Sequence, residues 1–169
     1  FDDTLAAAQS YCSDAGAVFL SPFDDEDVIE GQASVAAEIM TQLGAAPDHV
    51  VLPVGGGGLS AGVSSFFGSK TAFTLVEPQG AGSLAAALRA KRPTTLERID
   101  GFVDGAAVAR IGEKTFERLK HFDVADVISA PEDRICTTMI EMLNVEGIVL
   151  EPAGALAIDA LVDIAEKIK

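Results

Sequence analysis

Basic residues are scarce in this chain. Its 169 residues include 12 lysines and arginines against 26 aspartates and glutamates, which gives a formal net charge of −14. Such a charge repels nucleic acids and anionic membrane surfaces, so it argues against both as partners. No uninterrupted apolar stretch is long enough to cross a bilayer, so we expect no membrane segment. Any phosphate site must therefore depend on local N–H donors, because the overall field opposes an anion.

Cysteine and histidine are also rare. Cys12 and Cys136 are the only thiols, and they form neither a CxxC pattern nor a metal-ligand spacing. We interpret both as small buried residues of a protein in a reducing cytoplasm. The two histidines are isolated as well. The acidic run at 24–27 lacks the spaced ligands of a calcium loop and is interpreted as a solvated turn that starts a helix.

Glycine is concentrated in one place, since residues 55–58 are four consecutive glycines. They follow the apolar run 49–52, which predicts a buried strand, and they precede a segment with the pattern of a helix. Glycine loses more backbone entropy on folding than any other residue. Four in a row make physical sense where the backbone curls tightly and points several N–H groups at one target. The turn therefore predicts a cup for a phosphate group, aided by the positive end of the helix dipole.

Apolar strands alternate with helices along the chain. Strands are predicted at 17–20, 49–54, 71–76 and 126–128, and a further buried apolar element at 148–150. Apolar strands separated by helices are typical of the α/β class, with a mostly parallel sheet that helices cover on both faces. In such sheets ligands bind beyond the carboxyl ends of the strands, which is where the glycine turn lies.

The residues alone leave three interpretations of the turn open. It could be a tight structural turn without a ligand. It could belong to a dinucleotide-binding (Rossmann-type) oxidoreductase domain, because Gly56-x-Gly58-x-x-Ala61 matches GxGxxG/A and Glu77 ends the next strand, where an acid would bind ribose. It could also be a cup for a small phosphate monoester such as pyridoxal phosphate, built from the N–H groups of residues 55–59. The absence of lysine and arginine near the turn fits this third interpretation.

A family resemblance rests on several motifs in a fixed order. They are Ser-Pro-Phe-Asp-Asp at 21–25, Val-Ile-Glu-Gly-Gln at 28–32, the glycine turn with Leu-Ser-Ala-Gly at 55–62, Val-Glu-Pro at 76–78, Asp-Gly-Ala-Ala-Val at 104–108 and Glu-Pro-Ala-Gly-Ala at 151–155. Together they resemble the fold-type II pyridoxal-phosphate enzymes, and within them the threonine and serine dehydratases, the biosynthetic threonine dehydratases most of all. The resemblance covers essentially the whole chain.

The resemblance implies a fold, a cofactor and a reaction. The fold would be the large domain of the tryptophan-synthase-β-like enzymes, in incomplete form. The cofactor would be pyridoxal 5′-phosphate. The reaction would be the lyase step of isoleucine biosynthesis, which converts L-threonine to 2-oxobutanoate and ammonia, with L-serine as an alternative substrate. The cofactor-binding residues that it implies are Gly55, Gly56, Gly57, Gly58, Leu59, Gly105 and Glu151.

The resemblance also shows what this chain does not contain. Glu77 matches a cation-binding glutamate of serine-racemase-like relatives, but residues 80–83 offer no second acid, so we expect no metal. The family's Schiff-base lysine lies in a Ser-x-Lys-x-Arg-Gly type motif, and none of the lysines here has that context. We therefore assign no catalytic residue and expect the 169 residues alone to be inactive.

We expect the chain to be an internal piece of a longer protein. Residues 1–20 would be the end of the small domain, and residues 21–169 would be part of the large cofactor-binding domain. The N-terminal catalytic part and a C-terminal regulatory domain would lie outside it. The resemblance further implies that the full-length protein is a cytoplasmic homo-oligomer.

Overall fold

The computed structural model describes residues 2–166, with side-chain surroundings from residue 4. Helices and strands alternate over most of this range. In chain order they are α1 (Asp2–Ala15), α2 (Glu26–Leu43), β1 (His49–Pro53), α3 (Gly58–Phe67), β2 (Ala72–Pro78), α4 (Ser83–Ala90), α5 (Glu113–Leu119), β3 (Val127–Ala130), α6 (Glu132–Glu141), α7 (Pro152–Asp159) and α8 (Leu161–Ile164). None of the helices in the described range is both long and apolar enough to cross a membrane.

The three strands that the structure describes form one parallel sheet in the order β1-β2-β3. Leu75 of β2 pairs with Leu52 on one side and with Val127 on the other, so β2 is the central strand. The carboxyl ends of β1 and β2 therefore lie at the same edge, and the glycine turn begins there. The predicted α/β class with a parallel sheet is confirmed.

Helices cover both faces of this sheet. Leu75 and Val76 are adjacent in β2 and both are fully buried, but they belong to different apolar clusters. Leu75 packs in a cluster with residues of α2, α3, α4 and α5, whereas Val76 packs with residues of α6 and α7. Because successive strand residues point to opposite faces, the two clusters are the cores of two layers on either side of the sheet.

Two apolar segments depart from the sequence-based expectation. Residues 17–20 form no strand, and Val18 is 92% exposed. Residues 148–150 form no regular element, and Val149 is 82% exposed. An apolar run predicts burial but does not identify the segment that packs on it. Neither of these two segments has a partner strand within residues 2–166. Cys12 and Cys136, expected to be buried, are both partly exposed.

The packing of α2 against α3 depends on Gly62. A Cβ atom at Gly62 would overlap the carbonyl oxygen of Ile29 and lie 2.9 Å from the backbone nitrogen of Ala33. The two helices therefore approach each other backbone to backbone at this point, which fixes α3 and the glycine turn in front of it.

Replacing Gly62 with alanine should destabilise the fold by about 1–3 kcal/mol, because the added methyl group overpacks a backbone contact. Gly31→Ala is the matched control, since Gly31 lies inside α2 with open space around its Cβ position. That control should stabilise the fold by about 0.5–1 kcal/mol through helix propensity. Urea unfolding of both variants measures the difference, and equal free energies of unfolding would contradict the packing role of Gly62.

Candidate functional site

A cleft of about 580 Å³ lies at the carboxyl end of β1. All seven residues that the sequence implied as cofactor-binding line it, namely Gly55, Gly56, Gly57, Gly58, Leu59, Gly105 and Glu151. The walls of the cleft also include Phe23, Gln32, Ala106 and Ala153. The fold thus brings together residues that are almost one hundred positions apart, and their role in holding a cofactor stays a prediction.

Each glycine of the turn has a neighbour in the place of a side chain. At Gly55, a Cβ atom would lie 2.9 Å from the Cα atom of Ala106. At Gly56 it would overlap the ring of Phe23, and at Gly58 it would lie 3.2 Å from the Cα atom of Phe23. Gly57 has a φ of +91°, which side chains disfavour, and Thr115 lies behind it. Close contacts therefore disfavour a side chain at Gly55, Gly56 and Gly58, and the positive φ disfavours one at Gly57.

Two carbonyl groups of the turn accept hydrogen bonds from residues that do not line the cleft. The Gly56 carbonyl accepts from the Thr115 hydroxyl at 2.8 Å, and the Gly57 carbonyl accepts from the Ala61 N–H at 2.8 Å. A trans peptide holds its C=O and the following N–H on opposite sides, and the structure has no cis peptide bond in the described range. The N–H groups of Gly57 and Gly58 therefore point away from these partners.

The N–H groups of residues 55–59 are free to bind an external acceptor. Within residues 2–166 they donate to no protein acceptor. They lie at the start of α3, whose N-cap Gly57 offers no side-chain acceptor of its own. Converging backbone amides at a helix N-terminus form a binding site for an oxyanion. The cup therefore fits a phosphate group.

The only charged side chains along the cleft are carboxylates, among the residues that the structure describes. Asp104 accepts the N–H of Gly105 at 3.0 Å. Glu151 lies at the N-cap of α7, and its Oε1 atom is 3.6 Å from the Cβ position of Gly105. None of Lys70, Lys91, Lys114 and Lys120 lines the cleft. An anion bound in the turn would be held by neutral donors, and the acids lie elsewhere along the walls.

Asp24 has a role that the sequence did not reveal. Its carboxylate accepts the N–H groups of Glu113, Lys114 and Thr115 at 3.0, 2.7 and 3.2 Å, and so it caps α5 from a distant part of the chain. The N-cap of α5 is Gly112, which has no side chain to do this. The interpretation of the acidic run as a solvated turn was therefore wrong for Asp24. The neighbouring Asp25 does start a helix, because it accepts the N–H of Asp27 as the N-cap of α2.

Glu77 is buried and does not line the cleft. Its Oε1 atom accepts the N–H of Leu84 at 2.5 Å and its Oε2 atom accepts the N–H of Ala85 at 2.9 Å. Both oxygens therefore cap α4, whose own N-cap is Gly82. The dinucleotide interpretation required this carboxylate to face a ribose, so the geometry removes one of its two supports.

The family model of pyridoxal-phosphate dependent enzymes matches residues 1–169. The chain belongs to this family. Its membership confirms the resemblance drawn from the motifs and gives no support to the dinucleotide alternative.

Within this family the chain is similar to biosynthetic L-threonine dehydratases. It is 44% identical to that of Corynebacterium glutamicum over 98% of this chain and 41% identical to that of Bacillus subtilis over 100%. The chain spans 39% and 40% of the length of these two relatives. The processed form of threonine deaminase isoform 2 from Solanum lycopersicum superimposes with a TM-score of 0.88 at 34% identity, over 96% of this chain and 48% of that one. The expected fold, that of a fold-type II enzyme, agrees with this superposition.

The buried Glu77 should make the stability of the fold depend on pH. Burial raises the pKa of Glu77 from 4.5 to about 7, although the N–H groups of Ala85 and Leu84 and the charge of Arg89 lower it. The folded state therefore binds the proton more tightly than the unfolded state. The contribution of protonated Glu77 to the free energy of unfolding, about 3 kcal/mol, is complete below about pH 4.5 and is lost as the pH rises through about 7.

Glu77→Gln should remove this dependence, because glutamine keeps the shape of the protonated carboxyl group but does not titrate. Urea unfolding at pH 5 and pH 8 measures the change in the free energy of unfolding for both proteins. The parent chain should lose more stability than the variant over this interval, since all other titrating groups are shared. Equal losses would show that the ionisation of Glu77 is not coupled to folding.

Proposed function

We propose that this chain is part of the cofactor-binding domain of a biosynthetic threonine dehydratase. The longer protein would be a pyridoxal-phosphate dependent lyase that converts L-threonine to 2-oxobutanoate and ammonia in isoleucine biosynthesis. The identity of 41–44% with dehydratases of that name supports the substrate. The observation that carries the proposal is the cup of five free amides, residues 55–59, inside a cleft lined by the family's other motifs.

The residues present fit a phosphate-bearing cofactor. The amides of the turn would bind the phosphate oxygens, and the small side chains of Ala106 and Ala153 leave room for the rest of the molecule in the cleft. Gly105 would allow a close approach of the backbone, and Glu151 would place a carboxylate beside it. When bound, pyridoxal phosphate supplies the electron sink that stabilises charge at the substrate α-carbon, while the protein supplies binding and orientation.

Neutral donors suit this task in a strongly acidic protein. A net charge of −14 disfavours any free anion in the cleft. An anion must then make several directed hydrogen bonds at once to stay bound, which the glycine turn provides and a flat surface does not. This requirement favours a phosphate group tethered to a larger cofactor over a weakly held ion.

The division into domains is part of the same proposal. Residues 1–20 would end the small domain and residues 21–169 would form part of the large one. In support, the segment 17–20 has no regular secondary structure and three of its four residues are exposed, whereas Phe23 and Asp24 contact the glycine turn and α5. We also propose that the longer protein acts as a cytoplasmic homo-oligomer.

The 169 residues alone should not turn over L-threonine. No lysine with the family's cofactor-attachment context is present in the sequence, and none of the lysines that the structure describes lines the cleft. A rate of 2-oxobutanoate formation clearly above background from the isolated chain would overturn this part of the proposal.

The decisive experiment uses the full-length protein that contains this chain. After removal of bound cofactor, L-threonine should yield 2-oxobutanoate only when pyridoxal phosphate is restored, and NAD should not replace it.

Gly57→Ala should weaken the binding of pyridoxal phosphate, because the new methyl group meets both an unfavourable φ and Thr115. Gly68→Ala is the control, since Gly68 also has a positive φ but has open space around it at the other end of α3. A protein that binds NAD and ignores pyridoxal phosphate would overturn the proposal.

A further inference from the structure

The glycine turn does not hold its own conformation. Glycine populates positive and negative φ with similar ease, so Gly56 and Gly57 have no side chains of their own to stop the peptide between them from rotating. Rotation of this peptide would exchange the positions of the Gly56 carbonyl and the Gly57 N–H. The cup would then present an oxygen to an anion in place of a donor. Some group outside the turn must select the orientation that is observed.

Thr115 is placed to make this selection. It is fully buried in the first turn of α5, and its hydroxyl donates to the Gly56 carbonyl at 2.8 Å. The same hydroxyl lies 3.2 Å from the carbonyl of Gly112 within its own helix, so the bond to Gly56 is the shorter of the two. The other donor to Gly56 is the Gly112 N–H at 3.5 Å, which is a long contact. Thr115 is therefore the stronger of the two partners.

Thr115 acts from behind the turn and does not enter the cleft. Gly57 lines the cleft, whereas Thr115 does not. Because the Gly56 carbonyl points towards Thr115, the Gly57 N–H on the same trans peptide points the opposite way. We infer that Thr115 is a positioning residue that sets the Gly57 amide for binding the cofactor phosphate. This inference rests on the proposed function.

Asp24 supports Thr115 in this position. Its carboxylate accepts three N–H groups at the start of α5, including that of Thr115 itself at 3.2 Å. The adjacent Phe23 packs against the Cβ positions of Gly56 and Gly58 on the turn. Residues 23 and 24 therefore connect the turn to the helix that carries its hydroxyl donor.

The test compares two ligands that differ only in the phosphate. In the full-length apoprotein, Thr115→Val should weaken the binding of pyridoxal phosphate by about ten-fold or more, because a buried carbonyl loses its short hydrogen bond and the peptide is free to turn. The affinity for pyridoxal, which lacks the phosphate, should stay at the wild-type value. Thr115→Ser keeps the hydroxyl and should restore the binding of pyridoxal phosphate. Equilibrium dialysis measures all of these affinities.

Thr71→Val is the matched control for the loss of a buried threonine hydroxyl. Thr71 is buried, and its hydroxyl donates to the carbonyl of Pro47 at 2.8 Å, outside the cleft. This variant should lose thermal stability to a similar extent as Thr115→Val, yet bind pyridoxal phosphate as the wild type does. If Thr115→Val does not fold, Thr115→Ala removes the same hydroxyl without placing a methyl group against the carbonyl.

The outcomes distinguish the positioning role of Thr115 from the proposed function. Wild-type binding of pyridoxal phosphate with no loss in Thr115→Val overturns the positioning role and leaves the proposed function intact. Equal losses for pyridoxal phosphate and pyridoxal also overturn it, since they indicate a general effect on the fold. A wild-type protein that binds no pyridoxal phosphate overturns the proposed function and this inference together.

Discussion

The hydrogen bond that holds the Gly56 carbonyl against α5 is the interaction on which the candidate site depends. A turn made of glycine has many accessible conformations, and its usefulness for binding an anion comes from one of them. The surrounding fold selects that conformation by occupying the side-chain positions of the glycines with Phe23, Ala106 and Thr115, and by donating a hydrogen bond to the Gly56 carbonyl. The N–H groups of residues 55–59 are left unpaired within the described part of the chain. In a trans peptide plane, a carbonyl group that is held on one side leaves the following N–H group free on the other side.

Two helix starts in this protein, those of α4 and α5, are capped by distant residues. Gly112 and Gly82 are the N-caps of α5 and α4, and neither can cap its own helix. Asp24 caps α5 and Glu77 caps α4 instead, each with both carboxylate oxygens. The start of α3 differs from these two because no carboxylate reaches it in the described range. The start of α3 lies at the cleft with its first N–H groups unpaired in the described range, so it can accept an anionic ligand.

Much of the fold could be predicted from the sequence because its signals are local. Runs of apolar residues predicted all three strands, and the glycine turn predicted the position of the cleft. The caps by Asp24 and Glu77 could not be predicted, because a carboxylate that binds amides far along the chain leaves no periodic signal at either end. A glycine directly before a helix without a capping side chain was the only available cue. The predictions of a strand at 17–20 and a buried element at 148–150 were wrong for a related reason. An apolar run predicts burial but does not identify the segment that packs against it.

The support of the turn has a consequence for the order of events during synthesis. Gly56 and Thr115 are 59 residues apart, and Asp24 and Thr115 are 91 residues apart. The glycines therefore leave the ribosome before the helix that carries Thr115. Contacts of such long range form slowly, because the loop between the two segments must first close. We therefore expect the hydrogen bond between Thr115 and the Gly56 carbonyl to form late in folding, after α5 has docked against the turn.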